Sequence, residues 1–237
     1  IITRIGSLKA AWLFESDEVK NALKTLTNDL VGEKIHSSGW EFKSTDAFLD
    51  QNLKAVLFAA ALASGDEKIV SATNKMFADY ISGDKDAIHP NIRASIFNAI
   101  AANGGEKEFE QLMKIYKNPQ SLDEKISAMR AFGRFENESI LEKVLKMTID
   151  GSIRSQDIYI PMQGMRAHKL GVETLFTWMK KEWDTIYKLL PPGLSMLGSV
   201  VQICTSGFTT MEKYQEIEEF FKAKNTKGFD QGLAQSL

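Results

Sequence analysis

Apolar residues recur at three- and four-residue spacing in nearly every segment of this chain, and strand-like alternation is almost absent. That spacing lines one stripe of a helix against a core, so the expected fold is all-α. Val19, Leu23, Leu26 and Leu30 make a stripe behind Ser16, a residue type suited to the N-cap. Phe48, Leu49, Leu53, Val56, Leu57 and Ala60 make the next, stopped at Ser64-Gly65. Ile69, Val70, Thr73, Met76, Phe77 and Tyr80 follow, stopped at Ser82-Gly83. Pro90 opens another helix at its first turn, where a missing N–H costs nothing. Ile92, Ile96, Ala99 and Ile100 are its core face, and Gly104-Gly105 suits a left-handed cap at its end. Phe109, Leu112, Met113 and Tyr116 come next. Ser121 and Glu124 fit a capping box ahead of Ile126, Met129 and Phe132. Ile140, Leu141, Val144 and Leu145 form the partner helix.

Helix pairs of this kind recur about every 30–40 residues, joined by short polar turns. A single pair cannot bury its apolar face, so the pairs are expected to be antiparallel and stacked as a curved HEAT/armadillo-like superhelix. No linker, low-complexity tract or charge block divides the chain, so residues 1–237 read as one helical-repeat domain. The chain starts at Ile1 rather than methionine and stops at Leu237 within the apolar spacing of Phe229, Leu233 and Leu237. Both ends read as cuts in a longer protein, and an apolar edge left there would favour self-association.

A formal net charge of -2, with acids and bases interspersed, gives no basis for binding nucleic acid or an anionic membrane. No apolar run reaches membrane-spanning length, and the N-terminus carries no signal-peptide pattern. Cys204, the sole cysteine, cannot form an internal disulfide and sits among Val200, Val201 and Ile203, as an inert core thiol would. These features point to the cytoplasm. Asn137-Glu138-Ser139 is a glycosylation triplet of a kind that also arises by chance.

Catalytic chemistry finds no support in the residues. The three histidines, His36, His89 and His168, lie far apart, and none begins H-E-x-x-H, the spacing that sets two imidazoles around zinc on one helix face. Phosphate-loop and nucleophile-elbow patterns do not occur. Carboxylates beside lysines, as in Glu106-Lys107-Glu108, read as solvated helix faces. Trp178 and Trp183, with Phe176 and Tyr187, read as core-packing rings on one helix, and Trp12 and Trp40 as anchors of the first hairpin. No catalytic or metal-ligating residue is assigned.

One polar knot is left: Ile153-Arg154-Ser155-Gln156-Asp157, followed by Thr177-Trp178-Met179 and Lys181-Glu182-Trp183. With Trp12 to Leu30, Gly39-Trp40, His89 to Arg93, Gly104-Gly105, Phe109 to Tyr116, Phe208 and Phe220-Phe221, this order of motifs resembles the C-terminal helical domain of the gluzincin zinc aminopeptidases. The likeness is to the puromycin-sensitive and aminopeptidase-N-like enzymes, in their fungal cytosolic form, and it runs along essentially the whole chain. The departures are Lys181-Glu182 before Trp183, where the family commonly has asparagine, and His168 in Arg166-Ala167-His168.

The resemblance implies a parent zinc exopeptidase removing N-terminal residues from peptides. Its zinc ligands and amine-binding site would lie upstream, leaving this part as a lid that encloses the substrate chamber without catalysing. Its partners would be the upstream catalytic domain of the same polypeptide and the peptide substrate. In the family the Arg154-x-Gln156 motif lies on the concave side, which makes Arg154 and Gln156 the candidate peptide-binding residues. A guanidinium can grip a carboxylate with two parallel bonds. The competing reading is that Arg154 pairs with Asp157, or that Asp157 merely caps the next helix. The alternative for the whole chain is a free-standing helical-repeat scaffold for protein–protein binding.

Overall fold

The computed structural model describes residues 1–190 and 195–224, so the apolar spacing of Phe229, Leu233 and Leu237 lies outside the described residues. The fold is all-α, with no strand among the described residues. The chain forms two units, Ile1–Ala128 and Met129–Leu237.

The first unit holds α1 (Ile2–Ala11), α2 (Asp17–Ser38), α3 (Phe48–Ser64), α4 (Glu67–Ser82), α5 (Pro90–Asn103) and α6 (Glu106–Lys117). The helix α7 (Leu122–Phe132) starts in it. Ser16 caps α2 as its sequence suggests, accepting from the Val19 amide at 3.4 Å. Pro90 is the first residue of α5, and His89 is the cap, its Nδ1 accepting from the Asn91 amide at 3.3 Å. The His89 ring also stacks flat on Phe42, with centroids 3.9 Å apart. The core joins Val31 and Ile35 of α2, Leu57, Phe58 and Ala61 of α3, Ile69, Phe77 and Tyr80 of α4, and Ile92, Ile96 and Phe97 of α5. Phe97 takes the edges of Phe77 and Tyr80 at 6.1 and 6.0 Å.

Three expectations shift here. On α2 the buried stripe is Leu23, Thr27, Val31 and Ile35, at strict four-residue steps, while Leu26 and Leu30 are left exposed. Thr27 joins the core because its hydroxyl donates to the Leu23 carbonyl at 2.6 Å, which satisfies its polar atom. On α3 only the second half is core; Phe48, Leu49, Leu53 and Val56 are exposed. Gly104 is extended, not left-handed. It is needed for space, because a Cβ there would lie 2.6 Å from the Ile100 carbonyl oxygen and 2.7 Å from Glu108 Cβ. Glu108 folds back to accept from the Gly105 amide at 2.9 Å.

The capping box at α7 is half as drawn. The Glu124 amide donates to Ser121 Oγ at 3.1 Å, but the Glu124 carboxylate turns to the Gln120 amide and the Tyr80 hydroxyl. Glu124 and Tyr80 are both buried, so the carboxylate joins α4 to α7 rather than closing its own turn.

The second unit holds α8 (Glu138–Ile149), a 3-10 turn (Ser155–Asp157), α9 (Tyr159–Met165), α10 (Lys169–Lys181), α11 (Trp183–Leu189), α12 (Ser195–Thr205) and α13 (Met211–Lys222). Asn137, the acceptor of the glycosylation triplet, spends its side chain capping α8 by accepting from the Ile140 amide at 3.2 Å. Phe132, Phe135, Leu141, Val144, Leu145, Leu175, Phe176, Val200 and Val201 fill the core. Cys204 is buried, and burial pushes its thiol far above the usual range, as an inert core thiol requires.

Backbone approaches set the local geometry around α9. A Cβ on Gly133 would lie 2.0 Å from the Pro161 carbonyl oxygen. One on Gly164 would lie 2.2 Å from the Arg130 carbonyl oxygen, and one on Gly171 2.1 Å from that of Met165. His168 sits among them, buried, and caps α10 by accepting from the Gly171 amide on Nδ1 at 3.1 Å.

The two tryptophans do not share a helix. Glu182 ends α10 and Trp183 begins α11. Phe176 and Trp183 are buried, whereas Trp178 and Tyr187 are half-buried. In the first unit Trp40 is half-buried and Trp12 is exposed, so neither is a fully enclosed anchor.

Candidate peptide-facing site

The knot at Arg154 is built from its flanks inward. Asp150 ends α8, and its carboxylate accepts from the Ser152 amide at 2.9 Å. The Ser152 hydroxyl and then its amide hold that carboxyl below the usual range. The Ile153 amide next donates to the Met147 carbonyl at 3.0 Å, and the Ile153 side chain is buried. Ile158 is buried on the far side. Between these two apolar anchors the Asp157 amide donates to the Arg154 carbonyl at 2.8 Å and closes the 3-10 turn.

Both Nε and Nη2 of Arg154 reach Oδ2 of Asp157, at 2.8 and 2.7 Å. The pairing weighed as the competing reading is therefore present in the structure. It does not use up the guanidinium: the Arg154 side chain is 66% exposed against 19% for Asp157. Asp157 thus holds one edge of a guanidinium that remains largely exposed, and a guanidinium has donors enough to bind a second carboxylate as well. Gln156 is exposed on the same turn. The turn brings both candidate residues to one exposed feature.

A second surface feature lies at the start of α11. A cavity of about 370 Å³ is lined by Trp183, Asp184, Tyr187, Lys188, Ala223 and Lys224. The Lys224 ammonium stands 5.9 Å from the Trp183 ring centre and 5.2 Å from that of Phe220. The Trp183/Tyr187 spacing was the available signal; the lysine comes from beyond α13 and no local pattern announces it.

No group of three His, Cys, Asp or Glu among the described residues is placed to hold a metal ion. His36 is taken by Asp66 at 2.8 Å, His89 by the α5 cap, and His168 by Gly133 and Gly171. No helix among the described residues is long and apolar enough to cross a membrane.

The family model of the ERAP1-like C-terminal domain matches residues 1–237. The chain is 56% identical over its whole length to Aminopeptidase 2 of Candida albicans and 53% to the mitochondrial Aminopeptidase 2 of Saccharomyces cerevisiae. It is 46% identical over its whole length to the alanine/arginine aminopeptidase of Saccharomyces cerevisiae. It spans 26%, 25% and 28% of those three proteins, about a quarter of each. The chain belongs to the ERAP1-like C-terminal domain family.

Proposed function

We propose that this chain is the C-terminal lid of a zinc aminopeptidase, which removes N-terminal residues from peptides in the cytoplasm. The observation that carries the proposal is the match along the whole chain to proteins named aminopeptidases, of which this region is about a quarter. The zinc, its ligands and the group that recognises a peptide's free amine belong, on this reading, to the preceding part of the parent polypeptide. The described residues do not form a site for that ion. The contribution of this part is geometric. A lid that closes over the reaction centre excludes water, which strengthens the electrostatic interactions inside, and admits flexible peptides more readily than folded proteins.

Within the lid, Arg154 meets the peptide. Asp157 fixes the guanidinium plane, and the remaining donors grip a carboxylate of the substrate, such as its C-terminus. The Gln156 amide, on the same turn, supplies both a donor and an acceptor for the peptide backbone.

The full-length protein tests this directly. Bound zinc, together with chelator-sensitive release of arylamine from aminoacyl-arylamide substrates, is the expected result. A full-length protein with neither zinc nor such activity overturns the reading.

A further inference from the structure

We propose that the first half of α3 is a docking face for the part of the same polypeptide that precedes this domain. The inference rests on the reading above, that the chain is the C-terminal part of a longer peptidase. Phe48, Leu49, Leu53 and Val56 are 75%, 76%, 47% and 49% exposed. Leu49, Leu53 and Val56 follow at four- and three-residue steps and so share one helix face. Beyond Val56 the same helix is core: Leu57, Phe58, Ala60, Ala61 and Leu62 are all buried. The helix is therefore half inside a folded unit and half outside it, with its apolar character unchanged across the boundary.

Single exposed leucines are ordinary; a run of large apolar side chains along successive turns marks an interface. The charge pattern agrees. Only Asp50 and Lys54 are charged among residues 48–56, and the Lys54 ammonium turns aside to Asp46 at 2.7 Å and to the Glu41 carbonyl at 2.8 Å. A lysine drawn off by its own ion pair leaves the neighbouring apolar side chains uncovered by its stem.

The occupant follows from chain length. The aminopeptidases this chain matches are about four times as long, and the matching family is a C-terminal domain, so most of such a polypeptide precedes it. A tethered neighbour is present at an effective concentration of roughly millimolar, which a second copy of the chain does not reach by diffusion.

Hydroxyl-radical footprinting of the full-length protein, read by mass spectrometry and normalised to the denatured protein, tests the face without any substitution. Leu49 and Leu53 are expected to oxidise several-fold more slowly than Leu122, which is 66% exposed on α7, and to do so at every protein concentration. Leu49 and Leu53 oxidising as fast as Leu122 overturns the proposal. Protection that disappears on dilution overturns it too, and assigns the face to a second copy. Zinc content and arylamide release from the same sample read the peptidase assignment separately. A reactive α3 in an active, zinc-loaded sample sinks only the docking face.

Discussion

His168 holds two backbone groups at once: Nε2 lies 2.9 Å from the Gly133 carbonyl, and Nδ1 accepts from the Gly171 amide at 3.1 Å. An accepting Nδ1 requires the neutral ring with its proton on Nε2, so Nε2–H is the donor to Gly133. Burial, the largest influence, holds the imidazole below its ordinary value of 6.5, opposed by the Gly133 carbonyl and Glu136. A depressed folded-state value means the unfolded chain takes up the proton first as pH falls. The contribution of His168 is therefore complete above about pH 6.5 and declines as pH drops from there through the folded-state value. Urea denaturation should show a midpoint falling between about pH 7.5 and about pH 5, with a shallower fall in His168→Asn, which keeps a capping side chain but does not titrate. Equal slopes in the two proteins would remove His168 from the acid response.

Replacing His168 with alanine removes the α10 cap and strands the buried Gly133 carbonyl. The two losses together predict destabilisation of roughly 2–4 kcal/mol, readable as a shift in the urea midpoint. A change within about 0.5 kcal/mol would mean that the ring only fills space.

Gly133→Ala places a methyl group 2.0 Å from the Pro161 carbonyl oxygen and 2.6 Å from the Met165 amide nitrogen. Both obstacles are backbone, so the helix itself must shift, and a loss of at least about 2 kcal/mol is expected. Gly32→Ala is the contrast. Gly32 lies inside α2 with nothing within 4 Å of an added Cβ, so alanine should stabilise by roughly 0.5–1 kcal/mol. Thermal unfolding of the two variants should move in opposite directions; movement in the same direction would contradict the spacing described.

Tyr80→Phe deletes a donor to the buried Glu124 carboxylate and changes little else in volume. The expected cost is about 1.5–3 kcal/mol. A double-mutant cycle with Glu124→Gln should return a coupling of at least about 0.5 kcal/mol; additive effects would show that the two act independently.

Arg154→Ala separates stability from function. An ion pair with its arginine two-thirds exposed adds little to stability, so denaturation should shift by less than about 1 kcal/mol. On the function proposed above, the same substitution in the full-length protein should raise KM for peptides while leaving single aminoacyl-arylamides little changed, because these carry no C-terminal carboxylate for a guanidinium to grip. An unaltered KM for peptides would leave the Arg154–Asp157 fork with only a local structural part.

Helix content was legible because period and punctuation agree: Ser16, Pro90 and the four residues Ile140, Leu141, Val144 and Leu145 all do what their local pattern requires. Which half of a stripe is core was not. Leu26 and Thr27 are neighbours on α2, yet the threonine is buried and the leucine exposed, because packing against α3 selects the face and a backbone carbonyl can satisfy the hydroxyl. Gly104 was read for its freedom of φ when its missing side chain was the reason. The break at Glu182 carries no proline or glycine to reveal it. At the candidate site, the sequence brought Arg154, Gln156 and Asp157 onto one short turn, but that Arg154 stays exposed while it pairs with the more enclosed Asp157 is a matter of packing, which no spacing encodes.

The close backbone approaches around α9 bear on how this part of the molecule breathes. Gly171 lies against the Met165 carbonyl, the His168 amide donates to that carbonyl at 3.4 Å, and the His168 ring bridges to Gly133, so the end of α9, the start of α10 and Gly133 are tied to one another. The hydrogen-bonded amides of α9 and of the start of α10 should therefore show one shared opening free energy in deuterium exchange, as a single opening unit, although each helix is short enough to fray alone.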